Sequence, residues 1–534
     1  MSRLSSGSQK NSATELRNRS TLLALALVTV IGAALRLYRL GAYGFWRDEA
    51  QAIFIALNPF PVDIVRALIL DGHPPVLYFL SHFWIRIAGR GELGIRLLAT
   101  IAGIVTIPLL FALGRELFDR RVGLLAAAVG AVLPLHVSVS REIRMYSVLA
   151  LLITLSMLFL HRAWVREQRS DWAGYIVVAI LALYTHNFST LVIAAQGLWA
   201  IFRLVWLPDE RDRFRAWLVA GVAIGASYLF WLPVVLEQNR HLVISGSWLT
   251  QNSRIGNLFR LTNEMTGLAF FGGRYYLWLL LFFLGIFTWN WTREAVNFRL
   301  DLTPATTLML ACISVPFLLI VTLPGSGLGI VPAYTTMAMF PVVCLLLARG
   351  VLGLRFRPLM LIAGVIMALL WWRGLAPMFT QPISSLREIA WHVEQHSAAR
   401  DVIVIAPDYL ATTFNYYYPG DQPQVAYPNE PGRRVEDIVW TDYDRRWEAA
   451  TITPTLRFVE RTLPPNGRVW LIAPLDAYPN DARFDSIREI AAALRESYVL
   501  CDDNRSFRGP VEQADLLLFA RTEADCPQTE LDGS

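Results

Sequence analysis

The chain has 534 residues, 54% of them hydrophobic, and its mean hydropathy of +0.41 is well above that of an ordinary soluble domain. Most of it therefore belongs in a lipid bilayer. The formal net charge is +5, and nearly all of the 48 Lys+Arg residues are arginines in short clusters between apolar runs. Such clusters are typical of cytoplasmic loops that meet anionic lipid, and they exclude a nucleic-acid-binding module, which would align basic residues along one face.

Runs of apolar residues predict the membrane-spanning helices. A bilayer core of about 30 Å requires a helix of about 20 apolar residues. Eleven runs approach that length, near residues 20–40, 93–114, 122–140, 145–162, 173–188, 189–204, 216–236, 274–291, 303–323, 333–349 and 358–376. The sequence therefore predicts a polytopic α-helical membrane domain with about eleven transmembrane helices over residues 20–376. Residues 1–19 form a cytoplasmic tail, and the first run is too long to be the apolar core of a signal peptide.

Residues 74–89 are apolar but too short for a span, and they contain His82 and Arg86. We interpret them as an interfacial or re-entrant helix within a large first external loop at residues 41–92. Without this segment, the arginine clusters fall on the same side as the basic N-terminus, as the positive-inside rule requires. Counting it as a span would put every cluster on the opposite side.

This topology predicts a multi-pass protein of the plasma (inner) membrane with a cytoplasmic N-terminus. The other face of the membrane receives the first external loop, residues 141–146, His186–Asn187, residues 237–273, residues 324–334 and residues 377–534. The candidate catalytic residues gather on this periplasmic or extracellular face.

Residues 377–534 form a C-terminal soluble domain, in which alternating helical and strand patterns indicate a small α/β fold with partly parallel strands. The domain contains no GxGxxG or P-loop sequence, so we assign it no nucleotide. Cys501 and Cys526 lie in it and would form a disulfide in an oxidising compartment, and the sequence leaves both redox states open. Cys312 and Cys344 lie in apolar runs, where a small buried thiol is ordinary.

Two adjacent carboxylates, Asp48 and Glu49, follow the first span directly at the membrane surface. Ionisable residues close to a bilayer are costly to leave unpaired and are often functional, which makes both residues catalytic candidates. The alternative is that they are solvated or cap a helix that begins at Ala50, because aspartate is a common N-cap residue.

His73 follows Asp71 closely and precedes two prolines that hold the turn rigid. An imidazole in such a turn can bind phosphate, ligate a metal or shuttle protons, and it can equally be an ordinary loop residue. Asp71 and His73 alone do not make a metal site, so we predict none.

Arg141, Glu142, Arg144 and Tyr146 lie together in a turn between two predicted spans. Guanidinium groups suit bidentate binding of a phosphate. Two arginines on the non-cytoplasmic side run against the positive-inside bias, which favours a substrate-binding role. The alternative is an interfacial charge cluster with an aromatic anchor.

His186 and Asn187 lie at the end of another predicted span. Both side chains can donate hydrogen bonds to a phosphate or to sugar hydroxyl groups. An ordinary role at the end of a helix explains them equally well, so the sequence leaves both interpretations open.

Several of these motifs occur in a fixed order along the chain. They are Trp46-Arg-Asp-Glu49, His73-Pro-Pro-Val-Leu-Tyr78, Glu92-Leu-Gly-Ile-Arg96, Gly114-Arg-Glu-Leu-Phe118, Ser140-Arg-Glu-Ile-Arg-Met-Tyr146 and Thr185-His-Asn187. The ordered set resembles the bacterial members of glycosyltransferase family 39, relatives of the protein O-mannosyltransferases and of the lipid A aminoarabinose transferase, which have the fold called GT-C. The resemblance covers about residues 20–205.

The resemblance implies a polyprenyl-phosphate-linked sugar as donor substrate, a first external loop that holds the catalytic acid, and transfer on the periplasmic or lumenal face. It implies that Asp48 is the catalytic aspartate, with Glu49 as its usual neighbour, and that residues 140–146 lie near the donor phosphate. No cofactor is certain, and the resemblance leaves a divalent cation open.

The sequence departs from this family at two places. Gly72-His73 replaces the Glu-Lys pair that precedes the diproline in aminoarabinose transferases, so their metal-ligand glutamate and their lysine have no counterpart here. Ala333-Tyr334 replaces the Arg-Tyr pair that opens a late span in many relatives. Tyr334 is therefore the remaining substrate-binding candidate of that pair.

By this resemblance we expect a glycosyltransferase that moves a hexose or pentose from a polyprenyl-phosphate donor to a hydroxyl group of a glycan, lipid or protein. Asp48 would act as the base, and transfer without an enzyme nucleophile predicts inversion at the anomeric carbon. The candidates for stabilising the departing phosphate are His73, Arg141 and Arg144. The alternatives are a transporter or flippase of polyprenyl-linked lipid, with a site near the membrane midplane, and an inactive relative with a role in envelope assembly.

Overall fold

A computed structural model of the chain describes residues 3–242, 254–270, 275–291, 295–322, 333–429, 434–436, 443–476, 484–507, 512 and 514–527. Parts of the predicted external segments 237–273 and 324–334 lie outside these residues. A helical part extends to residue 380, and a domain built on a mixed sheet follows it.

The helical part is apolar and carries most of the hydrophobic core, because its helices bury side chains against one another. Its α-helices are α1 (Arg3–Leu37), α2 (Arg47–Leu57), α3 (Val62–Asp71), α4 (Val76–Ala88), α5 (Glu92–Leu117), α6 (Arg120–Val132), α7 (Pro134–Val139), α8 (Tyr146–Arg166), α9 (Arg169–Leu183), α10 (Ser189–Trp206), α11 (Phe214–Leu229), α12 (Leu232–Leu242), α13 (Arg254–Thr266), α14 (Leu277–Ile286), α15 (Pro304–Thr322), α16 (Phe340–Gly353) and α17 (Arg357–Thr380). Among the described residues this part also contains the 3-10 helices Pro208–Arg213 and Ala333–Met339 and two short antiparallel strands, β1 (Ala269–Phe270) and β2 (Tyr275–Tyr276).

Six helical stretches among the described residues are long and apolar enough to cross a bilayer, and the chain is a multi-pass membrane protein. They are Asn18–Leu37, Glu92–Leu117, Tyr146–Arg166, Ser189–Trp206, Tyr334–Gly353 and Arg357–Thr380. The helices α11 and α12 meet at a bend of 55° and would make a seventh span. The predicted spans at 122–140, 173–188, 274–291 and 303–323 are not among these stretches, so the total of eleven stays a prediction.

The predicted span at 122–140 is broken at Leu133, which separates α6 from α7. Proline disfavours the helical conformation in the residue before it, and Leu133, which precedes Pro134, has an extended backbone. After the break α7 runs from Pro134 to Val139, and it ends next to the turn that carries the candidate arginines.

The predicted span at 274–291 is helical only as far as Ile286. Phe287–Trp291 forms β3, which pairs antiparallel with β4 (Val296–Leu300). The residues of β3 alternate between aromatic and polar side chains, which is the two-residue period of a strand, so hydropathy alone overestimated the helix.

The first external loop contains α2, α3 and α4. Residues 74–89 contain α4, whose 13 residues are too few for a span. Its buried His82 lies against α2, where Nδ1 is 2.7 Å from the backbone oxygen of Ala56. The loop is thus a packed helical layer over the end of the membrane domain.

The C-terminal domain has a five-stranded sheet in the order β6-β5-β7-β9-β8. The strands are β5 (Val402–Ile405), β6 (Gln424–Ala426), β7 (Arg468–Ala473), β8 (Val499–Asn504) and β9 (Asp515–Ala520), and the helices are α18 (Leu386–His396), α19 (Tyr409–Tyr417), α20 (Tyr443–Ala449), α21 (Thr453–Thr462) and α22 (Asp485–Ser497). β5, β6 and β7 are parallel, whereas β8 and β9 are antiparallel, which confirms the predicted α/β fold with partly parallel strands. Cys501 and Cys526 form a disulfide.

The C-terminal domain and the arginine pair at the end of α8 lie at opposite ends of α5. Glu92, the first residue of α5, is paired with Arg387 of the C-terminal domain at 3.0 Å. α5 has 26 residues, which corresponds to about 39 Å of helix at a rise of about 1.5 Å per residue. Near its other end, Glu116 binds Arg162 and Arg166 from the end of α8.

Candidate active site

Asp48 lies in the first turn of α2, and 21% of its side chain is exposed. Trp46 is the N-cap residue of α2. Its backbone is extended, and its side chain forms no capping hydrogen bond. A carboxylate in the first turn is favoured by the positive end of the helix dipole. Asp48 therefore does not serve as the N-cap and keeps an accessible carboxylate.

Arg144 lies beside this carboxylate. Its Nη2 is 3.7 Å from Asp48 Oδ2, and its Nη1 donates to the backbone oxygen of Asp48 at 3.2 Å. Burial alone would lower the pKa of Arg144, but Tyr146 and Asp48 raise it above the ordinary arginine value. Within the described part of the chain its Nε has no hydrogen-bond partner, so a full positive charge and a free donor lie next to Asp48.

Asp71 holds the His73 ring next to Arg144. Gly72 ends α3 in the left-handed conformation, with φ 84°, and this turn brings His73 Nδ1 within 2.8 Å of Asp71 Oδ2. The same oxygen accepts a hydrogen bond from the Tyr78 hydroxyl at 2.8 Å. In the neutral imidazole these bonds keep the proton on Nδ1 and leave Nε2, 3.5 Å from Arg144 Nη2, as an acceptor.

The rings of three further candidate residues, Tyr146, Tyr334 and His186, pack together beside His73. The Tyr146 ring lies 4.7 Å from that of Tyr334 and 5.6 Å from that of His186. The His186 ring is 6.3 Å from that of His73. The structure thus brings together residues from α8, the 3-10 helix before α16, the α9–α10 turn and the first external loop.

His186 is neutral, because burial and the nearby His73 and Arg144 lower its pKa to about 3. Its Nδ1 accepts a hydrogen bond from the backbone N–H of Phe188 at 2.9 Å, which leaves the proton on Nε2. Asn187 Nδ2 donates to the backbone oxygen of Gly72 at 3.3 Å and so supports the His73 turn. His186 thus offers a donor, and Asn187 positions the loop.

Glu49 faces away from Asp48 and is fully buried. Its Oε1 and Oε2 accept hydrogen bonds from Arg96 Nε and Nη2 at 2.9 and 2.6 Å, and Oε1 also accepts the backbone N–H of Ile143 at 3.0 Å. This placement favours a positioning role over the catalytic role expected for Glu49.

The Arg141 side chain contacts the C-terminal end of α1. Its Nη1 donates to the backbone oxygens of Leu35, Arg36 and Tyr38 at 3.1, 3.0 and 2.7 Å. Burial and the charge of Arg96 lower its pKa to about 10. A guanidinium used in this way caps a helix, so the structure favours a structural role over the phosphate-binding role expected for Arg141.

Glu142 is partly buried, and its Oε1 accepts a hydrogen bond from the Ser138 hydroxyl at 3.2 Å. Burial and the charges of Glu49 and Asp48 raise its pKa to about 8. At neutral pH this residue is protonated and adds no negative charge to the surroundings of Arg144.

Three important residues were missing from the candidates chosen from sequence. Arg96 was visible only as part of a motif, although an arginine in the first turns of a predicted span is a signal that it has a buried partner. Asp71 carries no sequence signal beyond its place beside His73, because two ligands make no metal site. Glu512 lies in the distant C-terminal domain, and its Oε1 accepts the backbone N–H of Arg47 at 2.8 Å.

Among the described residues, no group of three or more His, Cys, Asp or Glu side chains is arranged to hold a metal ion. Asp71 Oδ2 and His73 Nδ1 are hydrogen-bonded to each other and do not converge on a common point.

Residues 72–209 match the family model of the dolichyl-phosphate-mannose-protein mannosyltransferases. This segment contains the His73 turn, residues 140–146 and His186–Asn187, and the match confirms the resemblance to glycosyltransferase family 39. No curated protein matches the chain.

Among solved structures, ArnT from Cupriavidus metallidurans in the apo state is similar over 96% of this chain and 100% of that chain, with a TM-score of 0.57 and 13% identity. The same protein bound to undecaprenyl phosphate gives a TM-score of 0.48 at 13% identity, over 95% of this chain and 99% of that one. The oligosaccharyltransferase AglB from Archaeoglobus fulgidus, in complex with an inhibitory peptide and a dolichol-phosphate, gives 0.49 at 12% identity, over 96% and 75%. The last two scores are below 0.5, so the fold assignment depends on apo ArnT, and the chain is a membrane protein with the GT-C fold of glycosyltransferases and a segment that resembles family 39.

Proposed function

We propose that the chain is a glycosyltransferase that takes a sugar from a polyprenyl-phosphate donor and transfers it to an acceptor hydroxyl group, with Asp48 as the base. The observation that carries this proposal is the pairing of an accessible Asp48 carboxylate with the buried, fully charged Arg144 at 3.7 Å. In an in-line displacement the acceptor oxygen and the phosphate lie on opposite sides of the attacked carbon, so one site must offer a base to the first and a cation to the second. The description of the matching family, which names dolichyl-phosphate-mannose, supports a lipid-phosphate donor.

In the proposed reaction the acceptor oxygen attacks the anomeric carbon and its proton moves to Asp48. The bond between that carbon and the phosphate oxygen breaks, and the polyprenyl phosphate leaves with the electron pair. Arg144 and the His186 Nε2–H would stabilise the charge on the departing phosphate. With one displacement and no enzyme nucleophile, the configuration inverts.

His73 would contribute through its position beside Arg144. The Asp71 carboxylate fixes its ring, and Nε2 faces Arg144, so a donor phosphate that binds Arg144 also lies within reach of this imidazole. The aromatic rings of Tyr146 and Tyr334 would support the sugar or the first part of the lipid.

We further propose that the reaction takes place on the non-cytoplasmic face. The Cys501–Cys526 disulfide supports this orientation, because such bonds persist in oxidising compartments. The arginines Arg162 and Arg166 at the other end of α8 support it as well, since positive charge favours the cytoplasmic side. The acceptor would then be a glycan, lipid or protein of the cell envelope.

The first experiment measures release of polyprenyl phosphate by the purified protein in detergent with lipid, offered a panel of polyprenyl-phosphate sugars and envelope acceptors. We expect release by the native chain and a fall of at least about 10²-fold in Asp48→Asn, which preserves the shape and removes the base. Asp63→Asn is the matched control, because Asp63 lies in the same external loop and forms an exposed pair with Arg66.

Three outcomes would contradict the proposal in different ways. Release that survives Asp48→Asn would exclude Asp48 as the base. Products that retain the donor's anomeric configuration would exclude the single displacement. Tight binding of polyprenyl phosphate without release from any donor would favour the flippase or the inactive relative.

A further inference from the structure

The helix that carries Asp48 has no local cap at its N-terminus. The N-cap residue is Trp46, which offers no side-chain acceptor to the first turn. The N–H groups of Glu49 and Ala50 bond to the backbone oxygen of Trp46 at 2.9 and 3.0 Å. The N–H of Arg47 needs an acceptor from elsewhere, because the first four N–H groups of a helix have no partner within it.

Glu512 provides this acceptor from the C-terminal domain, 465 residues further along the chain. Its Oε1 lies 2.8 Å from the backbone N of Arg47. Glu512 is itself buried and is held by a backbone hydrogen bond from its N–H to the oxygen of Ile383 at 3.2 Å. A carboxylate at this position also matches the positive end of the α2 dipole.

Two more side chains of the C-terminal domain hold the backbone just before α2. The Tyr417 hydroxyl accepts the N–H of Phe45 at 2.7 Å and donates to Glu92 at 3.0 Å. Arg387 Nη2 donates to the backbone oxygen of Ala42 at 2.8 Å. The backbone between residues 42 and 47 is therefore bound at three points by a domain that is remote in sequence.

The side chain of Arg47 also connects the C-terminal domain to Asp48. Its Nε lies 3.3 Å from Asp48 Oδ1, and its guanidinium stacks on the Tyr409 ring, with 4.8 Å between Cζ and the ring centroid. Tyr409 is the first residue of α19 in the C-terminal domain. The backbone and the side chain of Arg47 are thus both held by that domain, one residue before the proposed base.

We propose that Glu512 is a positioning residue for the reaction at Asp48, so that the C-terminal domain completes the active site. This inference depends on the proposed function. Without the Glu512 carboxylate, the first turn of α2 loses its acceptor, and Asp48 moves relative to Arg144. The acceptor hydroxyl then meets a displaced base, whereas the donor phosphate still meets Arg144 and His73.

The test compares Glu512→Ala with Glu512→Gln and with Glu496→Ala. Glutamine keeps a carbonyl oxygen that accepts the Arg47 N–H, whereas alanine removes it. Glu496 is an exposed glutamate on α22 of the same domain and controls for the loss of a carboxylate. In Glu512→Ala we expect kcat to fall about tenfold or more while the donor KM changes little. Glu512→Gln should recover most of kcat, and Glu496→Ala should match the native chain.

A purely structural role of Glu512 would give a different pattern. Loss of domain docking would lower the fraction of folded protein, or raise KM and lower kcat together, and the conservative glutamine would not selectively restore kcat. A native value of kcat in Glu512→Ala would overturn the inference and leave the proposed function intact.

A second measurement does not depend on turnover. Amide hydrogen exchange across residues 42–50 is followed by mass spectrometry for the full-length protein in detergent without substrate. We expect faster exchange in Glu512→Ala and near-native exchange in Glu512→Gln, because only alanine removes the acceptor. Unchanged exchange in Glu512→Ala would overturn the inference, even for a protein that released no polyprenyl phosphate and so failed the proposed function.

Discussion

Arg96 binds Glu49 through two parallel hydrogen bonds inside the protein, with both side chains removed from solvent. The same guanidinium donates to the backbone oxygens of Leu40, Tyr43 and Gly44. The pair therefore fixes the path of the chain into α2. Asp48 and Glu49 are neighbours in sequence, but one carboxylate faces the candidate site and the other holds the scaffold beneath it.

We expect Arg96→Met to destabilise the protein by about 3–5 kcal/mol, because it leaves the Glu49 carboxylate buried without its partner. Glu49→Gln should destabilise it as well, since the Arg96 charge then lacks a counterion. The double variant should recover part of the loss, because neither charge remains buried. Thermal unfolding in detergent measures all three. Native stability of Glu49→Gln, together with loss of turnover equal to that of Asp48→Asn, would instead make Glu49 catalytic.

Asp71 should control activity through His73. In Asp71→Asn the His73 ring loses its anionic partner, and we expect kcat to fall by about 10- to 100-fold. Tyr78→Phe removes a single neutral bond to the same oxygen, so its effect should be smaller. Steady-state kinetics with the donor that the native chain uses measures both variants. Equal effects of the two substitutions would contradict an electrostatic role for Asp71.

Asp71 also predicts a loss of stability in acid. Burial opposes the shift, but His73 and Arg144 hold the pKa of Asp71 below its usual value. A carboxyl group with a lowered pKa stabilises the folded state above its unfolded-state pKa, and this contribution disappears as the pH falls through the folded-state pKa. Asp71→Asn should therefore flatten the acid side of the stability profile, whereas the exposed control Asp63→Asn should not.

The raised pKa of Glu142 predicts that stability and donor binding both weaken as the pH rises. Burial and the charges of Glu49 and Asp48 raise its pKa to about 8, so the folded chain binds a proton that the unfolded chain has already released. Stability should fall as the pH rises from the ordinary glutamate pKa of 4.5 towards 8. Above 8 the new negative charge should also weaken binding of an anionic donor and raise KM. Glu142→Gln stays neutral and should keep a low KM on both sides of pH 8. A native-like rise of KM in this variant would assign the effect to another group.

The general location of the site could be predicted from sequence because it follows from topology. Asp48, His73, Arg144 and His186 each lie at the end of a helix, and the arginine pattern assigned those ends to one face of the membrane. Helix ends on one face lie close together in a packed bundle, and the structure does bring these side chains together.

The direction of each side chain could not be predicted in this way. Adjacent residues on a helix point about 100° apart, so the roles of Asp48 and Glu49 depend on where α2 begins, and that start depends on Glu512, far away in sequence. The same limit applies to Arg141 and Arg144, which differ by three residues. One caps α1 and the other meets Asp48, and only the packing of α1 against this turn decides which.

The roles of Arg144 and Arg141 can be distinguished by experiment. We expect Arg144→Lys to lower kcat/KM for the donor by about 10²-fold, because lysine keeps a charge but loses the planar guanidinium that contacts Asp48 and His73. Arg141→Lys should reduce stability through weaker capping of α1 while the donor KM stays near the native value. Binding of short-chain polyprenyl phosphate to both variants provides a check without turnover. Weaker binding in Arg141→Lys than in Arg144→Lys would reverse the two assignments.

The disulfide gives a test of orientation that does not depend on catalysis. Cys501 and Cys526 close a loop with a sequence separation of 25, and their bond should stabilise the C-terminal domain by about 3 kcal/mol. In intact cells we expect both thiols to resist maleimide labelling until a membrane-impermeant reductant is added, because the proposed topology exposes the domain to an oxidising compartment. The Cys501→Ser variant leaves Cys526 free and should be labelled directly by a membrane-impermeant maleimide. The remaining cysteines, Cys312 and Cys344, are buried and should stay unlabelled in the native protein. Labelling of Cys526 in Cys501→Ser only after permeabilisation would place the domain in the cytoplasm, and the proposed site of sugar transfer would then lie on the other face of the membrane.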